Sequence, residues 1–399
     1  MKKLVALLLA LCMVVCLFAG CKDDEKPATT KAPEATTATP EPATDPVTDP
    51  VTDPVTDPAP AYGDLGGKIA FVTDTGNIDD KSFNQYSYEG VKSFGEANGI
   101  ETQYYKPTED SDQARIDAIN QAIADGAKIV VMAGFLFGKA VYDSGIAHPD
   151  VNFLALDVSV FDMPVDEDKN PLPVPENVAL ITYQEEQAGF LAGYAAVKGG
   201  YTELGFLGGI DVPAVVRYGF GFLQGADLAA GETGATVNVK YWYSGSFAPT
   251  DEIQTKMNAW YTEGTQVVFA CGGGIVFSAL AAADSNDGLV IGVDVDQSSL
   301  SEDGRVITSA MKALSQSVIV ALSGCGENNW AWSADYAGKQ VVLGAADACV
   351  GLPMDTTAID GFTQADYDTL FAAIMDGTQA ISDVIDAQPA VANITVDYQ

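Results

Sequence analysis

From Lys68 onward, apolar runs of strand length alternate with amphipathic stretches of helical length, and that rhythm constrains the fold more than any other feature of the chain. Residues 68–73, 101–105, 129–133, 152–157 and 178–183 read as strands, with helices at 84–98 and 110–124 and a further one before residue 152. Strands that are apolar without interruption need cover on both faces, so the reading is a parallel sheet flanked by helices. The rhythm then restarts, with helices at 185–198, 214–230, 253–263 and 277–286 and strands at 204–207, 237–241, 267–270 and 289–293. Roughly 330 residues carrying two such series exceed one typical core, so two doubly wound α/β lobes are expected. In open sheets of this kind ligands sit beyond the carboxyl ends of the strands, which places a site in a cleft between the lobes.

The N-terminal part has a different character. Lys2 and Lys3 precede an uncharged apolar stretch from Leu4 to Phe18, and small residues lead to Cys21. This reads as a secretory signal over residues 1–20, too short for a good membrane span. The five residues Leu17-Phe18-Ala19-Gly20-Cys21 resemble the lipobox of bacterial lipoproteins, which implies a diacylated Cys21. Residues 21–61 are then an anchor and tether rich in Pro, Thr and Asp, with Thr-Asp-Pro recurring from Thr44 to Pro58. Such a composition cannot bury apolar surface and favours an extended, solvated chain. At about 3.1 Å per residue it would reach on the order of 100 Å.

Charge narrows the partners. The chain carries 20 basic and 55 acidic residues, and removal of the signal with its two lysines leaves 18 against 55, a net charge of −37. That field repels phosphates, so nucleic-acid binding is not expected, and a neutral or cationic ligand is. Of the six cysteines, Cys271, Cys325 and Cys349 fall in the folded part; Cys325 and Cys349 form a possible disulfide whose geometry spacing cannot fix. The catalytic constellations are missing. His148 is the only histidine, no zinc spacing or nucleophile elbow occurs, and Gly272-Gly273-Gly274 is a weak phosphate-loop signal that more readily serves close backbone approach. No catalysis, metal or cofactor is therefore expected.

What remains is a set of polar and aromatic residues placed just after strands. In Asp79-Asp80-Lys81-Ser82-Phe83-Asn84-Gln85, the acids suit a helix cap and Phe83 a core staple, or else Phe83 and Asn84 face the cleft. Asp157 and Asp294 each end an apolar strand. Together with Phe206-Leu207-Gly208-Gly209, Pro213, Arg217-Tyr218-Gly219-Phe220-Gly221-Phe222, Gly245-Ser246-Phe247, the run from Gly292 to Gln297 and the run from Thr308 to Lys312, this heptapeptide resembles the basic membrane protein (Bmp) lipoproteins, the group that includes purine nucleoside receptor A. The resemblance spans about residues 66–352.

The resemblance implies a type I periplasmic-binding-protein fold whose chain crosses the hinge three times. One lobe would comprise residues 66–182 plus 311–350, the other residues 183–310 plus 351–399. It further implies a purine nucleoside ligand, with the base between Phe83 and Phe247 and in contact with Asn84 and Asp157, and the ribose hydroxyls on Asp294 and Lys312. Asp79, Tyr218 and Gly273 complete the expected lining; Tyr218 stands where relatives usually carry phenylalanine. The expected role is a lipid-anchored receptor on the extracytoplasmic face of the cell membrane that hands its nucleoside to an ABC permease and ATPase. A sugar receptor of the same fold, or a signalling or adhesive surface lipoprotein, are the alternatives. The segment from Asp162 to Pro175 and the stretch from Cys325 to Tyr336 depart from the family pattern.

Overall fold

The computed structural model of the chain describes residues 62–74 and 76–399; the expected signal, the lipidated Cys21 and the tether lie outside the described residues. The first series is β1 (Lys68–Val72), α1 (Phe83–Asn98), β2 (Thr102–Tyr105), α2 (Asp112–Ala124), β3 (Ala127–Ala133), α3 (Gly138–Ala147), β4 (Asn152–Leu156) and β5 (Val178–Tyr183). The second is α4 (Glu185–Lys198), β6 (Glu203–Gly208), α5 (Pro213–Thr233), β7 (Val237–Tyr243), α6 (Asp251–Thr262), β8 (Val267–Cys271), α7 (Ile275–Asn286), β9 (Leu289–Asp294) and β10 (Val306–Lys312). After these come α8 (Leu314–Glu327), β11 (Lys339–Leu343), β12 (Val350–Gly351), α9 (Gln364–Met375) and β13 (Ile394–Tyr398).

The strands form two sheets, ordered β11-β5-β4-β3-β1-β2 and β12-β10-β9-β8-β6-β7-β13. The order β2-β1-β3-β4-β5 in one repeats as β7-β6-β8-β9-β10 in the other, and all pairings are parallel except β10 with β12. The apolar runs are apolar for the expected reason: β3, β5 and β8 are buried almost throughout because helices cover both faces. The chain passes between sheets three times, from β5 into α4, from β10 into α8, and from β11 to β12. These crossings are tied together, since Gln184 N donates to Leu343 O at 2.9 Å and Ala313 N to Cys349 O at 2.8 Å. The architecture is the two-lobed type I periplasmic-binding-protein fold.

Helices α4 and α5 pack backbone to backbone. A Cβ on Gly189 or Gly193 would collide with the carbonyl of Tyr218 or Phe222, and one on Gly221 or Gly225 with that of Glu186 or Phe190. This reciprocal glycine contact fixes the N-terminal parts of both helices against each other, which matters because these carry Glu185, Arg217 and Tyr218. The divergent stretch near Trp330 closes the other lobe: the Trp330 ring lies against Tyr62 and Phe94, and the Trp332 indole donates to Asn177 O at 3.0 Å. Cys271, Cys325 and Cys349 are buried free thiols, so the possible Cys325–Cys349 disulfide is not formed.

Candidate ligand-binding cleft

The carboxyl ends of both sheets face one cavity. From the first sheet come Asp74 after β1, Gly134 after β3 and Asp157 after β4; from the second come Phe247 after β7, Gly273 after β8, and Asp294 and Lys312 at the ends of β9 and β10. The open space is about 140 Å³, many times what one water needs at ~15 Å³ but far too little for a polymer. It is a small-molecule cavity.

Eight of the nine expected lining residues meet there: Phe83, Asn84, Asp157, Tyr218, Phe247, Gly273, Asp294 and Lys312. The exception is Asp79, an exposed residue that does not line the cavity. Its neighbour Asp80 does, because the loop turns the Asp80 carboxylate back onto the start of α1. Asp80 Oδ1 accepts from Ser82 N at 2.9 Å and Gln85 N at 3.1 Å, while Oδ2 accepts from Asn84 N at 2.9 Å and Asn84 Nδ2 at 3.2 Å. Two adjacent acids of equal capping preference gave no basis in sequence for choosing between them.

Behind the cap lies a second carboxylate. Asn84 Nδ2 also donates to Asp74 Oδ1 at 3.0 Å, so the amide has both its donors aimed at acids and its orientation is fixed by them. The buried Asn84 Oδ1 is left without a partner as an acceptor. Burial raises the Asp74 carboxyl above its ordinary range, although the Gly76 N–H and Asn84 amide favour its charged form.

Lys312 forms the centre of the cleft floor. Its Nζ lies 2.5 Å from Asp157 Oδ2 and 3.6 Å from both Glu185 Oε1 and Asp294 Oδ1, and its side chain is only 3% exposed. The ammonium also sits 4.8 Å over the Phe83 ring, 5.2 Å over Tyr183 and 5.8 Å over Tyr218, the geometry of cation–π attraction. Burial alone would lower its pKa, but the three carboxylates outweigh burial and hold it charged. The Asp157 carboxyl is also raised, here by burial, with Lys312 opposing and Glu185 reinforcing. Asp157 (φ 54°) and Asp294 (φ 68°) both occupy the left-handed region at equivalent strand ends of the two lobes. Strained polar residues concentrate at binding sites, and here the strain turns two carboxylates toward one point.

Nothing in the sequence singles out four further participants, Glu185, Arg217, Ser82 and Gln297. Glu185, fully buried, accepts from Arg217 Nε at 2.6 Å; at the start of a helix it reads as an acid complementing the dipole. Arg217 lines the cavity itself. Ser82 donates across the cleft to Asp294 Oδ2 at 2.6 Å, and Gln297 Nε2 donates to Lys81 O at 3.1 Å, so both bonds join the lobes directly, as does Lys312 to Asp157. Ser82 lies within the Asp79–Gln85 heptapeptide, but nothing local shows that its hydroxyl faces the opposite lobe.

Strand-end loops of two parallel sheets of repeated order close on one small cavity with largely apolar walls and a charged floor, the layout of a bilobal binding protein. Residues 68–372 match the model of the Bmp family, ABC transporter substrate-binding protein PnrA-like, and the chain belongs to that family. It is 30% identical over 266 residues to the ABC transporter nucleoside-binding protein BmpA of Lactococcus lactis subsp. cremoris, covering 61% of this chain and 71% of that protein. Basic membrane protein A of Borreliella burgdorferi is 27% identical over 312 residues, with 77% and 86% covered. Among solved structures, a solute-binding protein of an ABC transporter system from Aeropyrum pernix superposes with a TM-score of 0.64 at 19% identity, covering 78% of this chain and 92% of that one. One from Conexibacter woesei superposes at 0.61 and 22% identity, covering 79% and 99%. The chain is thus a substrate-binding protein of the ABC transporter class.

Proposed function

We propose that the cleft captures a purine nucleoside for import. The observation that carries the reading is the convergence of Phe83 and Phe247, one from each lobe, on a cavity floored by Lys312 and its carboxylates. Two aromatic faces suit a planar base, with stacking worth about 1–3 kcal/mol per base. The polar floor suits vicinal hydroxyls, which can donate to carboxylates and accept from an ammonium. Asn84 Oδ1 and Asp157 Oδ1, buried and unpartnered, supply acceptors for N–H groups of a base.

Charge supports a nucleoside over its phosphate ester. Asp157, Glu185 and Asp294 face Lys312 and Arg217, leaving an excess of negative charge where a phosphate would lie. The Lactococcus relative, named a nucleoside-binding protein, points the same way. In this reading the two lobes act as bodies that close on the ligand about the three crossings; the strand ends put these after Tyr183, Lys312 and Leu343, so Met311, Lys312 and Val350 move with the second lobe and not, as expected, with the first. The protein is anchored extracytoplasmically through a lipidated Cys21 on the tether, and presents the closed form to its permease and ATPase partners. Among the described residues no helix is long and apolar enough to cross a membrane.

Calorimetry of the purified mature protein with inosine, guanosine and adenosine, set beside ribose and glucose, tests the ligand class. At least one nucleoside should bind with micromolar or tighter affinity while ribose and glucose do not. Saturable sugar binding with no response to any nucleoside would replace this reading with that of a sugar receptor.

A further inference from the structure

Tyr218 carries an unexplained polar atom. It lies in the second turn of α5, 1% exposed, with its ring edge-on to Phe269 at 6.0 Å and lining the cavity beside Lys312. Its hydroxyl has no hydrogen-bond partner among the described residues. The backbone cannot withdraw it, because the Tyr218 carbonyl is in close contact with Gly189 of α4. A buried hydroxyl without a partner costs free energy that a phenylalanine of the same shape would not. The atom is therefore explained by a partner that arrives with the ligand.

The surrounding atoms define what that partner is. The other buried, unpartnered atoms of the floor and base edge are Asn84 Oδ1, Asp157 Oδ1 and Glu185 Oε1, which as an amide oxygen and oxygens of ionised acids can only accept. Tyr218 is the member of the group able to donate. Burial first, then the charges of Asp294 and Glu185, holds its phenol protonated well above the usual range, so it donates at neutral pH. Lys312 Nζ lies 5.8 Å over the Tyr218 ring and Tyr218 lines the cavity together with Asp294 and Lys312, which puts it at the end of the cavity that the nucleoside reading gives to the sugar.

We propose that Tyr218 is a specificity-determining residue whose phenol donates a hydrogen bond to one sugar hydroxyl of the bound nucleoside, at the end of the cleft formed by Asp294 and Lys312. The assignment rests on the nucleoside reading. It makes recognition of that hydroxyl two-sided: the hydroxyl accepts a hydrogen bond from Tyr218 and donates one of its own to a carboxylate. A ligand lacking it leaves both unpaired.

The test compares the mature protein with Tyr218→Phe, titrating inosine and its 2′-, 3′- and 5′-deoxy analogues by calorimetry and melting both proteins without ligand. Tyr218→Phe should bind inosine about tenfold more weakly. It should bind one of the three analogues as tightly as the unmodified protein does, because that analogue lacks the partner. Without ligand, Tyr218→Phe should melt at the same temperature or up to about 3 °C higher, since only an unpartnered hydroxyl is removed. Unchanged inosine affinity, equal losses for all three analogues, or a lower ligand-free melting temperature would each overturn the assignment. Failure of the underlying reading looks different: the unmodified protein would then take up no inosine, and the sugar-hydroxyl role would fall with it.

Discussion

Two clusters in this protein have the same formula and opposite consequences. Lys312 is surrounded by Asp157, Glu185 and Asp294, and Arg305 by Asp284, Asp287 and Asp303, one cation with three acids in each case. The acids around Arg305 are 56% to 99% exposed, while those around Lys312 are at most 12% exposed. Water screens the first set, and such surface pairs contribute about 0–1 kcal/mol. The second set has lost its water, so each charge depends on the others and on whatever enters the cavity. The contrast teaches that position at the carboxyl ends of the strands, and not charge composition, separates a binding floor from a solvated salt-bridge cluster.

The most severe way to break the comparison is to remove each cation in turn. Lys312→Met leaves three buried carboxylates without their counter-ion and should cost about 3–5 kcal/mol of folding stability in urea denaturation, with nucleoside binding abolished. Arg305→Met should cost about 1 kcal/mol or less and leave affinity unchanged. Equal losses would mean that burial does not distinguish the clusters.

Next come the aromatic walls. Phe247→Ala should weaken nucleoside binding by about 1–3 kcal/mol, roughly tenfold to a hundredfold, with little change in the ligand-free melting temperature. Its ring lies over Gly209 at the cleft, not within a core. A protein that melts much earlier but binds normally once folded would make Phe247 a packing residue. Ser82→Ala removes the hydroxyl that joins Asp294 from the other lobe at 2.6 Å, and should weaken affinity by about 1.5 kcal/mol while small-angle scattering shows a more open ligand-free form. Unchanged scattering and affinity would show that closure does not use this bond.

The acidity of the buried groups sharpens the contrast further. Burial pushes the Glu186 carboxyl up to about 8, with Glu185 adding to it, and also raises Asp157 and Asp74. A carboxyl whose folded pKa lies above its unfolded value, ~4, binds its proton more tightly when folded. The stability it contributes is fully present below pH ~4 and is lost as pH rises toward 8. The ligand-free protein should therefore melt higher at pH 5.5 than at pH 8. A melting temperature that rises steadily from pH 5.5 to 8 would show these carboxyls to be ionised and paired throughout.

The sequence was informative wherever burial is complete on both faces. The strands beginning at Lys68, Val178 and Val267 stand out because covered parallel strands tolerate few polar residues. The half-exposed edge strand Lys339–Leu343 and the short Val350–Gly351 carry no such signal, and neither does Ile394–Tyr398. The site divides in the same way. Phe83, Asp157, Asp294 and Lys312 were legible because each follows an apolar run at a strand end or sits in a distinctive motif. Glu185 and Ser82 were not, since an acid or serine at a helix start has a sufficient local explanation and its long-range partner appears only when the lobes come together. Asp79 was misplaced for the converse reason: the turn that buries Asp80 and exposes Asp79 depends on backbone geometry, with Lys81 at φ 57°, that residue identity does not reveal.

The central claim is that this cleft holds a purine nucleoside. Mass spectrometry of the small molecules released when the protein, purified without added ligand, is denatured tests it most directly. The account predicts a purine nucleoside in near-stoichiometric amount, absent after exhaustive refolding and absent from a Lys312→Met preparation. A hexose or pentose released in its place would contradict it.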